Sequence, residues 1–200
     1  LTILTVCDIR AVGPGVWNNW KGQLIRTLYS ETELMLTGGY SENSRQQRAD
    51  AGRRELAERL AEWPEERRAA RIDQHYDNYI LTVPLDDQVR HAQFLEDADR
   101  AGHSFATTAR TDQFRGVTEI TVLAPDHPRL LSLIAGSCAA AGANIADAQI
   151  FTMTDGRALD VVTINREFAQ DADELRRAER IARTVEALMN GREAIPALLA

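Results

Sequence analysis

Hydrophobic and polar positions alternate most clearly in the last part of the chain. Four segments there favour strands: 104–110, 118–123, 145–154 and 157–165. The pair Asp155-Gly156 separates the last two segments and is typical of a two-residue hairpin turn. We expect 104–110 to supply the fourth strand of the sheet, at its edge, and to pair there with 118–123.

Helical spacing of apolar residues predicts two helices between these strands and after them. The first carries an inward stripe of Leu131, Ile134, Cys138 and Ala141, and Gly142 can end it. His127 precedes Pro128, which predicts His127 near the N-cap and Pro128 at the first helical position. The second helix covers 171–190, with an inward stripe of Leu175, Ala178, Ile181, Val185 and Leu188. The order β-α-β-β-α, with the additional edge strand, predicts an α+β domain over 103–200.

The first 40 residues have a helical pattern of a different kind. Leu1, Leu4 and Asp8 share one helix face, and Gly13-Pro14-Gly15 breaks that helix. A second helix is predicted over 16–37, with a stripe of Trp17, Trp20, Leu24, Leu28 and Met35. Two helices alone cannot bury two tryptophans. We therefore interpret 1–40 as the end of a larger helical domain.

The middle segment, 41–102, is strongly charged. Eight acidic residues and eight arginines lie between Ser41 and His75, and a balanced run of this kind is typical of a solvated helix face or linker. A docking surface is the alternative interpretation. A further helix is predicted over 86–101, with Val89, Ala92, Leu95 and Ala98 facing inward.

Composition and charge narrow the function. The chain is 44% hydrophobic and 26% charged, and no apolar run approaches 18 residues, so we expect no membrane span and a cytoplasmic protein. The net charge of −7 argues against nucleic acid as a partner. Cys7 and Cys138 lie in apolar helical patterns and are predicted to be reduced core residues.

Two sets of motifs resemble known families. The order strand, Asp126-His127-Pro128, helix, Gly142-Ala143-Asn144-Ile145, hairpin, helix resembles an ACT domain, the ferredoxin-like amino-acid-sensing module of many metabolic enzymes. Thr118-Glu119-Ile120, Pro125-Asp126, Asp147-Ala148-Gln149-Ile150-Phe151-Thr152 and Asp155-Gly156 are similar to the first ACT domain of the bifunctional uridylyltransferase/uridylyl-removing enzyme family. Leu4 to Ala11 and Val16 to Lys21 are similar to the end of that family's HD hydrolase domain.

The resemblance implies three parts: the end of an HD domain (1–40), a charged helical linker (41–102) and an ACT domain (103–200). It implies a parent enzyme that transfers UMP to the nitrogen-regulatory PII protein and hydrolyses it off again, with Mg²⁺ or Mn²⁺. Asp97-Ala98-Asp99 and Asp171-Ala172-Asp173 do not follow the Gly-Ser turn that precedes the Asp-x-Asp ligands of a nucleotidyltransferase, and no histidine is followed by Asp, as an HD site requires. We therefore expect this chain, which begins at Leu1, to be a catalytically inactive regulatory piece that binds no cofactor of its own.

The resemblance assigns the effector, glutamine, to seven residues: Asp126, His127, Pro128, Gly142, Ala143, Asn144 and Ile145. From the residues alone, Asp126 and His127 could equally cap a helix, and Asn144 could make a local turn bond. The family pattern also matches Asp8 to the last metal-ligating aspartate of the HD site. The alternative is a carboxylate paired with Arg10 or a nearby backbone donor.

Two questions stay open at this level. A second function is an amino-acid-binding ACT module of some other metabolic enzyme, and the ligand that shifts the melting temperature would separate the two. In 148–153 either alternating set of side chains could face inward. An apolar outer face would favour a homodimer through the ACT sheets.

Overall fold

The computed structural model describes residues 2–11, 19–36 and 42–191. Within them the chain forms α1 (Thr2–Ala11), α2 (Asn19–Leu36), α3 (Glu42–Arg59), α4 (Glu65–Asp73), α5 (Asp77–Thr82) and α6 (Leu85–Ala101). The remaining elements are β1 (Ala106–Asp112), β2 (Val117–Pro125), α7 (Leu130–Ala140), β3 (Ile145–Thr152), β4 (Arg157–Asn165) and α8 (Asp171–Met189). The α+β class is therefore confirmed.

The four strands form one antiparallel sheet in the order β1-β2-β4-β3. The edge strand predicted before the domain is present and begins two residues later than expected. It pairs with β2 from Ala106 opposite Leu123 to Asp112 opposite Val117. Both β2 and β3 run antiparallel to β4, so they are parallel to each other and α7 connects them.

Helices cover both faces of the sheet, which explains the sequences of its central strands. Nearly every residue of β2 and β4 is buried, whereas β1 and β3 are only partly buried. A strand covered on both faces reads as a continuous apolar run, and an edge strand retains polar positions.

One side of the sheet, which we call the two-helix face, is covered by α7 and α8. Its core is aliphatic, and in it alternate residues of β2 and β4 pack against the apolar side chains of α7 and α8. The buried members include Ile120, Val122, Ala124, Leu130, Ile134, Cys138, Val162, Ile164, Ala178, Ile181 and Val185.

The opposite side, the four-helix face, is covered by residues of α3 to α6. Its core joins these helices to the sheet residues Leu123, Phe151 and Leu159. The members from the helices and the turns that follow them include Leu56, Leu60, Ile72, Tyr79, Ile80, Val83, Ala92, Leu95 and Ala98. The segment expected to be a charged linker packs its apolar side chains against the sheet as a layer, and most of its charged side chains, with the exception of Arg71, are at least partly exposed.

Three local expectations need correction. Helix α7 begins at Leu130 with Arg129 as its N-cap, because the loop makes one more turn after Pro128. Leu131 and Leu175 are exposed, and Leu130 takes the inward place expected for Leu131. The loop between β3 and β4 covers 153–156 instead of the two residues Asp155 and Gly156. The backbone N–H of Gly156 donates to the carbonyl of Met153, and Gly156 has a left-handed φ of 80°.

Gly142 ends α7 as expected. Its φ is 64°, and the N–H of Ala143 donates to the carbonyl of Cys138 at 2.8 Å while the N–H of Gly142 donates to Ala139. This is the Schellman arrangement, which favours glycine at the left-handed position.

Both cysteines are free thiols, but only one lies in a core. Cys138 is buried, and burial raises the pKa of its thiol to about 11. Cys7 is exposed on α1, so its assignment to a core is wrong. No described helix is both long enough and apolar enough to cross a bilayer. Trp17, the break at Gly13-Pro14-Gly15 and residues 192–200 lie outside the described residues.

Candidate effector-binding site

The first group of predicted effector residues lies in the loop between β2 and α7. The backbone N–H of Asp126 donates to Gly156, and Thr152 Oγ1 donates to Asp126 Oδ2 at 3.3 Å. His127 Nδ1 accepts the backbone N–H of Arg129 at 3.1 Å. His127 therefore organises the turn before α7, as a capping residue does, while Asp126 remains exposed.

The second group, 142–145, lies between α7 and β3 and is tied down by one buried arginine. Arg177 is 2% exposed and donates to the carbonyls of Gly142 at 2.9 Å and Asn165 at 3.3 Å. The backbone N–H of Asn165 in turn donates to the carbonyl of Asn144 at 2.8 Å. This leaves the side chain of Asn144 exposed on a fixed backbone.

The structure does not bring the two groups together within one chain. Asp126 follows the end of β2, beside Thr152 and Gly156, whereas Asn144 precedes β3 at the end of the sheet that holds Val117. Strand β2 has nine residues and spans about 27 Å at ~3.3 Å per residue. A ligand that touches both groups must therefore lie between two domains.

Sequence reasoning missed one buried acid on the strand beside the first group. Asp160 lies in the middle of β4, is 1% exposed, and pairs with Val122 and Ile150. Its Oδ1 has no hydrogen-bond partner among the described residues. A lone acid between Leu159 and Val161, in an otherwise apolar strand, is the signal that could have singled it out.

The electrostatics of Asp160 connect it to the loop. Burial, helped by the neighbouring carboxylate of Asp126 and opposed by a hydrogen bond from the backbone of Phe151, raises the pKa of Asp160 to about 7. A cation placed between the two carboxylates would relieve both the burial cost and the repulsion.

The start of α7 supplies the opposite polarity at the same loop. The backbone N–H groups of Leu131 and Ser132 have no acceptor among the described residues, as is usual in a first helical turn. Carboxylates near free N–H groups at a positive helix end can hold the ammonium and the carboxylate of one amino acid.

No described group of possible metal ligands includes Asp8, the residue predicted to bind a metal ion. Asp8 is exposed on α1, as are Ile3 and Leu4, so its carboxylate carries no burial cost. Among the described residues no group of three His, Cys, Asp or Glu side chains could hold a metal ion. The role of Asp8 in a parent enzyme stays a prediction.

A comparison of the sequence with models of known protein families finds no match.

Proposed function

We propose that this chain is a regulatory piece of the bifunctional enzyme that uridylylates and deuridylylates the PII protein, and that it senses glutamine through an ACT domain over 103–200. The observation that carries the proposal is the position of Asp126 and the start of α7 at one loop, with the buried carboxyl of Asp160 on β4 near enough for the charge of Asp126 to raise its pKa. These groups complement the charged ends of a free amino acid.

The topology supports the ferredoxin-like part of the proposal. Elements β2, α7, β3, β4 and α8 follow in the order that the family motifs imply, with two helices on one face of an antiparallel sheet. Strand β1, donated from before the domain, fills the remaining edge position.

Pairing of two domains is supported by the other edge of the sheet. Ile145 and Ile150 on β3 are 38% and 43% exposed, and Leu131 on α7 is also exposed. The set of β3 side chains that faces outward is therefore partly apolar, whereas Phe151 and Met153 are buried on the four-helix face. A homodimer or a second ACT domain at this edge would bring Asp126 of one domain towards Asn144 of the other.

Catalysis belongs to the parent in this proposal. UMP transfer and its reversal would use Mg²⁺ or Mn²⁺ in lobes outside this chain, with Asp8 completing the HD site. Glutamine would shift the balance by binding one state of the enzyme more tightly than the other. A cytoplasmic location follows from the proposed role.

The test uses the parent enzyme with purified PII. Asp126→Asn, Asp160→Asn and Asn144→Ala should each raise the glutamine concentration needed to inhibit uridylylation by at least tenfold, with little change in the glutamine-free rate. Asp86→Asn, an exposed carboxylate on α6, is the matched control. Unchanged glutamine regulation in all three variants would contradict the site. A thermal shift by another amino acid but not by glutamine would instead favour an ACT module of a different enzyme.

A further inference from the structure

A cleft with a volume of about 440 Å³ opens on the four-helix face, away from the β2–α7 loop. Its floor includes Asp147, Gln149 and Thr163 of the sheet, and its wall includes Val83, Asp87 and His91 from the corner between α5 and α6. Leu24 and Arg26 of α2 also line it. This volume lies within the range of small-molecule sites, and the lining mixes apolar and polar groups as such sites do.

A bulge in β3 places Asp147 in this cleft. Ile145 pairs with Ile164 and Asp147 pairs with Thr163, so the pairing register shifts between the two β3 residues. In a regular strand Ile145 and Asp147 would point to the same face, towards α7 and α8. The bulge turns Asp147 to the opposite face, and bulges that redirect a side chain in this way are frequent beside functional sites.

Asp147 differs from the other carboxylates of the cleft in its ion pairing. Asp87 and Glu119 also line the cleft, but both are bound by Arg90 and Arg110 at distances from 2.5 to 3.2 Å. Asp147 has no hydrogen bond or ion pair among the described side chains. It is therefore the carboxylate available to a cationic group.

His91 adds a buried polar atom that lacks a partner. The ring is 2% exposed, its Nδ1 lies 3.0 Å from the hydroxyl of Tyr79, and its Nε2 has no partner among the described residues. Burial lowers the pKa of His91 to about 4 and holds the pKa of Tyr79 far above its ordinary value, so both groups are neutral. With the tyrosine hydroxyl donating to Nδ1, Nε2 carries a hydrogen that a ligand oxygen could accept.

We propose that this cleft binds a free α-amino acid with a polar, uncharged side chain. Asp147 holds the ammonium group, and Arg115, whose side chain also lines the cleft, faces the carboxylate. Gln149, Thr163 and His91 offer the donors and acceptors that a side-chain amide needs. The identification of the ligand as glutamine rests on the proposed function; the site itself does not, and it is complete within one chain.

The experiment is calorimetric titration of glutamine, asparagine and serine into the full 200-residue chain. We expect binding of at least one of them, weakened at least tenfold by Asp147→Asn and also by Thr163→Val. The valine is nearly isosteric with threonine and suits a buried strand, so this variant should fold. Asp126→Asn, in the other site, is the control and should leave this affinity unchanged.

The outcomes separate the two sites. No binding of any of the three amino acids at millimolar concentration would overturn the cleft site. Binding lost in Asp126→Asn but kept in both cleft variants would also overturn it, and would favour the β2–α7 loop. Asparagine or serine bound in the cleft without glutamine would support the cleft as an amino-acid site and contradict glutamine as its ligand.

Discussion

The two faces of the sheet share the same central strands but bury different chemistry. On the two-helix face, residues such as Val122 and Val162 pack against an aliphatic helix pair. On the four-helix face, the ring of Tyr79 stacks on His75 with centroids 3.8 Å apart and meets Phe151 edge-on at 5.1 Å. The first core is aliphatic and lies beside two buried acids, Asp160 and Glu174, whereas the second adds aromatic rings and two buried histidines to its aliphatic residues.

Asp160 and His75, which are buried on opposite faces of the sheet, respond to pH in opposite directions. The pKa of Asp160 is raised to about 7, so the folded chain keeps a proton that the unfolded chain releases near pH 4, and stability falls as pH rises through that window. Burial, followed by the charges of neighbouring basic groups, lowers the pKa of His75 to about 3. The unfolded chain then takes up a proton below pH 6.5 that the folded chain refuses, so stability falls as pH drops below 6.5.

The largest expected effect tests whether the helical layer is one cooperative unit with the sheet. Leu95 on α6 is fully buried in the four-helix core, and Leu95→Ala should lower the free energy of unfolding by about 2–5 kcal/mol. Urea denaturation, followed by the near-UV signal of the buried tyrosine and by far-UV circular dichroism, measures it.

The matched control is Leu131→Ala on α7, where the side chain is 46% exposed and the loss should stay below about 1 kcal/mol. Two separate transitions, with the sheet unfolding at the wild-type midpoint, would show that the helical layer is a linker after all.

The helical layer shows where sequence reasoning stops. Strand order could be reached, because a sheet of this kind needs a fourth strand and only 104–110 could supply it. The inward face of α3 and α4 could not be predicted. Arg71 is buried there, and it forms ion pairs with Glu96 and Asp99, which lie far from it in the chain. Charge pattern alone does not distinguish an arginine paired across a layer from one in solvent.

The candidate site was predicted in part for a similar reason. Asp126 and Asn144 were identified by motif, but their separation follows from topology: a helix that joins parallel strands starts at one end of the sheet and finishes at the other. Asp147 was noted only as part of a motif, because the bulge that turns it depends on pairing with β4. Asp160 is not singled out by apolar periodicity, because that pattern identifies a strand by its hydrophobic positions and not by an acid among them.

The second prediction removes one of the two buried acids of the two-helix face, Asp160. Asp160→Asn should stabilise the chain at pH 8 relative to pH 5 by roughly 2–4 kcal/mol, because it abolishes the cost of ionising a buried carboxyl. Free energies of unfolding at pH 5, 6, 7 and 8 measure the difference in slope between variant and wild type.

Asp126→Asn is its control, because removing the neighbouring charge should lower the pKa of Asp160 without abolishing its titration. Identical pH slopes for Asp160→Asn and wild type would mean that this carboxyl titrates normally and that the contrast between the faces is absent.

The third prediction removes one histidine of the four-helix face. His75→Phe keeps a ring to stack on Tyr79 and deletes a ring nitrogen, Nδ1, that has no partner among the described residues. At pH 5 the variant should recover about 2 kcal/mol of the stability that wild type loses between pH 7 and 5. Chemical denaturation at both pH values tests this, and an unchanged loss would place the acid sensitivity elsewhere.

The smallest effect concerns the charged exterior of the helical layer. Arg59 contacts Asp86 at 2.6 Å, but their side chains are 50% and 82% exposed. Because water screens such a pair and both side chains lose freedom in forming it, Asp86→Asn should change the free energy of unfolding by about 0.2–1 kcal/mol at most. Glu96→Gln, on the same helix but facing the buried Arg71, should cost more. Urea denaturation in low and high salt measures both substitutions. Equal effects would show that Arg71 is solvated and that the charges of this layer do not hold it to the sheet.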